Sequence, residues 1–152
     1  MKKTTAAAAA ALLLLTCASC SSGRMPSLQI KAQQDCTIIY GDKRYQCTLS
    51  FPGNDIKVIT INSPESLSGM TFRSSGGRST VSYGGLICRT DKSILPENSF
   101  PSRIYVIMDD LKKEGPITEL SESGDGFCYS GKNDREFKVK ADKDGNITEI
   151  II

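Results

Sequence analysis

Asp35-Cys36-Thr37-Ile38-Ile39-Tyr40-Gly41-Asp42-Lys43-Arg44-Tyr45-Gln46-Cys47 is the stretch that decides the fold. β-branched and aromatic residues stand on both sides of Gly41-Asp42, a pair suited to a two-residue hairpin turn. Counting outward from that turn sets Tyr40 against Lys43 and Cys36 against Cys47. The two cysteines then share a face with Ile38, Tyr45 and Leu49. The same register makes them a hydrogen-bonded pair, whose backbone spacing is wider than that of the alternate pair and suits a cross-strand bridge less well.

Outward from this hairpin the strand pattern recurs at Ile56 to Asn62, Met70 to Ser74, Ser79 to Tyr83 and Leu86 to Thr90. Turn chemistry separates the runs: Pro52-Gly53-Asn54, Ser63-Pro64, Ser75-Gly76-Gly77 and Gly84-Gly85. The period changes once, from Ser102 to Glu114, where Ile104, Ile107, Met108 and Leu111 follow the i, i+3, i+4, i+7 spacing of an amphipathic helix. Asn98, Ser99 or Ser102 can cap its start. Pro101 fits its first turn, Lys112 and Lys113 complement its C-terminal dipole, and Gly115-Pro116 stops it. Strands resume at Ile117 to Ser121, Gly126 to Ser130, Glu136 to Ala141 and Ile147 to Ile152.

The expected class is therefore mainly β with one principal helix, α+β. It is an antiparallel meander of roughly eight or nine short strands, either a curved sheet or an incomplete barrel. Ile56, Val58, Ile59 and Ile61 load both faces of one strand, and Ile147 to Ile152 load both faces of another. Such a sheet must be covered on both sides or must enclose something, and one helix can cover one side.

At the N-terminus, Met1-Lys2-Lys3 leads through an apolar run from Ala6 to Leu15 into Thr16-Cys17-Ala18-Ser19-Cys20. A basic start, a short apolar core and small residues before a cysteine match a bacterial lipoprotein signal, which leaves an N-terminal cysteine bearing acyl chains such as palmitate. Cys20 follows Ala18 and Ser19, which suit the signal peptidase better than the Leu15 and Thr16 before Cys17. An ordinary secretory cut near Ala18 or Ser19 is the alternative. The apolar run is about half of the roughly 20 residues that a membrane-crossing helix needs. The reading is thus a signal over 1–19, a lipidated polar tether over 20–27 and a single β-rich domain over 28–152. It places the protein outside the cytoplasm, lipid-anchored to the bacterial cell membrane.

Lys2 and Lys3 belong to the signal, so the basic residues left, 19 less two, equal the 17 acidic ones. A neutral domain with no tryptophan and no basic run gives no reason to expect a nucleic-acid partner. Histidine is absent from all 152 residues, which removes Ser-His-Asp and Cys-His nucleophile systems and most catalytic zinc sites. No catalytic residues, metal or cofactor are expected, and the protein partner is left unknown. After Cys20, four cysteines remain: Cys36, Cys47, Cys88 and Cys128. In an exported domain they read as two disulfides with three pairings open; the hairpin register favours Cys36 with Cys47, leaving Cys88 with Cys128. The second bridge would close a loop of about 40 residues and add roughly 3–4 kcal/mol.

Three motifs have plainer explanations. Gly126-Phe-Cys-Tyr-Ser-Gly131-Lys132 imitates a phosphate loop, yet Asn133 stands where a magnesium-binding hydroxyl is needed and no helix follows. Asp142-Lys-Asp144-Gly145-Asn146 imitates a calcium loop with its glycine misplaced, and a hairpin turn explains it. Asp109-Asp110 are helix neighbours that do not face each other, the pattern of a solvated surface.

The stretch Ile59-Thr-Ile-Asn-Ser-Pro-Glu-Ser-Leu67-Ser-Gly69-Met-Thr-Phe72, followed by Val81-Ser-Tyr-Gly-Gly-Leu86, resembles uncharacterised Gram-positive lipoproteins. These are similar in pattern to the lipoprotein-carrier fold of the LolA and LolB kind. The resemblance implies a curved incomplete barrel with a helical lid over an apolar cavity for lipid. Ile59, Ile61, Met70, Phe72, Val81, Tyr83, Ile104, Ile107, Met108 and Leu111 are the candidates to line that cavity. The expected function is non-enzymatic binding of a lipid or another apolar ligand. The alternative is a disulfide-braced structural or interaction module of the envelope.

Overall fold

The computed structural model describes residues 28–53, 55–91, 95–112, 117–132 and 136–152. The signal and tether, Cys20 included, lie outside the described residues, as do Asn54, Lys113, Glu114, Gly115, Pro116 and Asn133. Six strands come first: β1 Gln33–Tyr40, β2 Lys43–Gly53, β3 Ile56–Ser63, β4 Thr71–Ser75, β5 Arg78–Tyr83 and β6 Leu86–Asp91. The helix α1 Phe100–Leu111 follows, then β7 Ile117–Ser123, β8 Gly126–Lys132, β9 Glu136–Asp142 and β10 Ile147–Ile151. All ten strands join one open, curved sheet in the order β6-β5-β4-β3-β2-β1-β10-β9-β8-β7.

The opening hairpin has the expected register: Cys36 faces Cys47, and Tyr40 and Lys43 close the turn. Gly41 takes φ +62° there while Asp42 does not go positive, so glycine holds the one position an L side chain would strain. The topology departs from a simple meander at one place. β10 returns to lie parallel to β1, with Ile38 opposite Ile150. One meander thus runs outward from the middle of the sheet to the β6 edge, and the other starts at the far β7 edge and runs inward. The segment between β6 and β7 has to carry the chain from one edge to the other. Nine strand spacings would span about 43 Å on a flat sheet, and curvature shortens that crossing.

α1 lies along β2 on this crossing. At its start Phe100 packs against the rings of Tyr40, Tyr45 and Phe72, with centroids 5.9, 5.0 and 6.0 Å away. Past its end the Lys112 Nζ stands 5.2 Å over the Phe51 ring. It begins two residues before the periodicity predicts, with Ser99 in the cap position and Pro101 in the first turn, and Ser99 Oγ and Ser102 Oγ bond at 2.9 Å. Asp109 pairs with Lys57 of β3 and fixes the helix on that flank.

Alternation along the strands supplies the core. Ile38, Val139, Ile150, Ile104 and Ile107 are fully buried, and Leu49, Ile59 and Met108 are nearly so. Because the strands pleat with period two, these residues share the face that the helix covers. The Gly126 of the apparent phosphate loop opens a strand instead: a Cβ there would lie 2.0 Å from the Ala141 carbonyl oxygen. The apparent calcium loop is the β9–β10 turn, where Asp142 Oδ1 accepts the Asp144 and Asn146 backbone amides and Oδ2 accepts the Asn146 side-chain amide.

Ile38→Ala empties space at the central junction and is expected to cost about 2–5 kcal/mol. Val106→Ala, on the outer side of α1 and 43% exposed, is expected to stay within about 0.5 kcal/mol. Urea titration of the two variants checks the pair of values.

Candidate functional site

The ten cavity candidates separate into two groups on the same face of the sheet. Ile59, Ile61, Ile104, Ile107 and Met108 are core, at 2% exposure or less, and Leu111 is half-buried against them. The apolar face of α1 fills the trough of the sheet here, which accounts for the dryness of this group. Met70, Phe72 and Val81 are only half-buried, and Tyr83 is 39% exposed. They belong to the wing formed by β4, β5 and β6.

Two cross-strand rows make the change visible. The first pairs Leu49 with Ile59, Ile59 with Phe72, Phe72 with Val81 and Val81 with Cys88. It starts fully buried at β2 and ends at an exposed thiol on β6. The second leads from Ile61 past Met70, whose carbonyl accepts the Ile61 amide at 2.9 Å, to the facing pair Tyr83 and Leu86. Leu86 is 79% exposed. Phe100, touching Phe72, marks where the helix cover stops. Tyr83 is steadied by donating its hydroxyl to the Ser66 carbonyl at 2.6 Å.

Toward the other end of these strands the same face turns polar. Lys57 faces Ser74, Ser74 faces Ser79 and Ser79 faces Thr90. Ser74 and Ser79 are buried, and Ser79 Oγ and the Tyr105 hydroxyl have no hydrogen-bond partner among the described residues. Burial pushes the Tyr105 phenol well above its ordinary range. The wing is therefore amphiphilic along its length, apolar from Phe72 to Leu86 and hydroxyl-rich at its base.

The structure leaves all four cysteines unpaired. Cys88 and Cys128 cannot meet: β6 is one edge of the sheet and β8 is next to the other, and the two residues lie on opposite faces. Cys88 faces Val81 on the helix side, whereas Cys128 faces Lys140 on the outer side. Cys36 and Cys47 do face each other, but as the wide, hydrogen-bonded kind of pair. Both thiols are buried, and burial, with the neighbouring Cys47 and Asp35 adding to it at Cys36, pushes each up to about 12.

Asp109 of the carboxylate pair is engaged with Lys57, and among the described residues no His, Cys, Asp or Glu group is arranged to hold a metal. Sequence reasoning missed Leu86 and Ile87, 79% and 60% exposed on the edge strand. The signal for them was an apolar pair directly after the Gly84-Gly85 turn, but which strand forms an edge is not a local property. Comparison of the chain with protein-family models, with curated proteins and with solved structures finds no match.

A thiol-specific reagent near neutral pH is expected to label Cys88 first and Cys128 more slowly, leaving Cys36 and Cys47 unlabelled until the protein unfolds. Mass mapping of labelled peptides checks the order. A raised thiol pKa favours the neutral, folded form, so its stabilisation is complete below the ordinary value of 9.0 and is lost as pH rises toward about 12. Urea midpoints should fall across that window, and fall less in a Cys36→Ala/Cys47→Ala variant.

Proposed function

We propose that this chain is an extracytoplasmic lipoprotein, held to the cell membrane through Cys20, that binds a lipid or another apolar ligand without covalent chemistry. The binding surface is the helix-side face of the β4–β5–β6 wing. The observation that carries this reading is the continuous rise in exposure along the two rows, from Leu49 and Ile61 in the core to Tyr83 and Leu86 at the edge. An apolar strip continuous with a core, bordered by hydroxyls, offers an acyl chain a place to bury its surface at about 25 cal/mol per Å². This moves the expected site from beneath α1, where the side chains are packed, to the side of it.

The lid assigned to α1 is correspondingly narrower. Its apolar face holds the sheet together, and its first residue, Phe100, borders the apolar end of the wing. The second reading, an interaction module, is favoured by one observation: among the described residues β6 has no strand beside its outer edge, and it carries Leu86 and Ile87 exposed. Neighbouring residues on β6 point to opposite faces, so they separate the two readings.

Displacement of an environment-sensitive dye by a long-chain fatty acid is the direct test. Leu86→Asp and Val81→Asp should weaken binding by about tenfold or more, while Ile87→Asp on the outer face leaves it unchanged. Equal losses from Leu86→Asp and Ile87→Asp would favour the interaction module. No displaceable dye and no co-purifying lipid in native mass spectrometry would end the lipid reading.

A further inference from the structure

We propose that the groove at the C-terminal end of α1 seats the domain on anionic lipid headgroups of the bilayer that holds its anchor. This rests on the lipoprotein reading above. The groove has a volume of about 610 Å³ and is built where residues 30–32 come alongside the end of β2 and the end of the helix. Ile30, Ala32, Phe51 and Pro52 give it an apolar floor, and Lys31 and Lys112 stand over it. The Phe51 amide donates to the Ala32 carbonyl at 2.7 Å and closes one wall. The Lys112 ammonium stands 5.2 Å over the Phe51 ring, which sets a cation directly against the apolar floor of the groove.

Two arguments choose the bilayer as occupant. The first is chain length. Seven residues separate Cys20 from Leu28, and the eight Cα-to-Cα steps at about 3.5 Å each reach at most about 28 Å. The groove is walled by the very next residues, so the end of the domain that carries it is the end held at the membrane. The second is charge. Among the described residues, the groove's lining contains two cations and no carboxylate. Asp142, whose carboxyl is held below its ordinary range chiefly by the Asn146 hydrogen bonds and last by Lys31, spends both oxygens within its own turn on the Asp144 and Asn146 donors. Lys31 and Lys112 are both exposed and free to meet phosphates at the surface of an anionic leaflet.

The test uses the chain from residue 20 onward with Cys20→Ser, which carries no acyl group and keeps every described element. Co-sedimentation with vesicles of phosphatidylcholine alone is compared with vesicles that also contain phosphatidylglycerol. Binding should favour the anionic vesicles, and Lys31→Gln or Lys112→Gln should each weaken it about fivefold, the double variant about 25-fold. Lys132→Gln, exposed on β8 away from the groove, should bind like the parent. Equal partition onto both vesicles overturns the proposal, and so does a double variant that binds like the parent. Displacement by millimolar inorganic phosphate also overturns it, since the groove would then be taking a free anion. Thermal melts confirm that each variant is folded; should one not be, loss of parent binding at about 0.5 M salt carries the same test. Failure of the anchor is read separately, from the intact mass of membrane-extracted chain without acyl groups on Cys20.

Discussion

The parallel contact between β1 and β10 is the constraint on which the rest of the structure depends. Ile38 and Ile150 meet there, both without solvent exposure, and the two meanders are joined nowhere else in the strand order. A parallel pair cannot be closed by a tight turn, so the chain has to leave at one edge and return from the other. That crossing is what places α1 over the sheet. Amphipathic spacing of Ile104, Ile107 and Met108 then lets the crossing segment serve as the second layer of the core.

One helix is too narrow for ten strands. α1 has twelve residues, about 18 Å of length, and a width of about 10 Å covers roughly two strand spacings. Side chains on the flanks extend the cover, through Asp109 to Lys57 on β3 and Phe100 to Phe72 on β4. Beyond Phe72 the face opens. The wing is thus a consequence of the topology, because at its Tyr83 and Leu86 end the sheet continues beyond its cover, while at the other end Ser79 is still buried. The exposed strip that arises in this way is held in place, with Tyr83 bonded to Ser66 and β5 paired on both sides.

The parts of this architecture that depend on neighbours in sequence were legible, and those that depend on distant strands were not. Gly41-Asp42 set the register of Cys36 with Cys47 because a two-residue turn leaves only one way to count. The helix was visible in its period, and Gly84-Gly85 in its turn chemistry. The pairing of Cys88 with Cys128 followed from elimination, and elimination knows nothing of faces or edges. Once the second meander docks by its last strand, β8 and β6 are carried to opposite sides of the sheet. The ten candidate liners divided for a related reason. Apolar character marks the face to which a residue belongs, whereas exposure on that face depends on where the helix stops. The groove at Lys31 and Lys112 joins three segments far apart in the chain and has no sequence signature at all.

Strand direction links the groove to the wing. β1 starts beside the groove, and each antiparallel partner reverses, so the Gly41-Asp42 and Gly84-Gly85 turns lie together at the opposite end of the sheet. Six residues of β5 at about 3.3 Å each place roughly 20 Å between the two ends. With the groove seated on the bilayer, Tyr83 and Leu86 stand about that far above it, beyond the depth that a headgroup layer reaches. The hydroxyl-rich base of the wing, at Ser79, is then the part nearer the membrane. An apolar ligand on Leu86 and Val81 would therefore arrive at the outer end of the wing and run inward toward the bilayer. Under the two proposals together, such a surface would receive a ligand from outside the anchoring membrane, and extraction from that leaflet would require the domain to leave its seat.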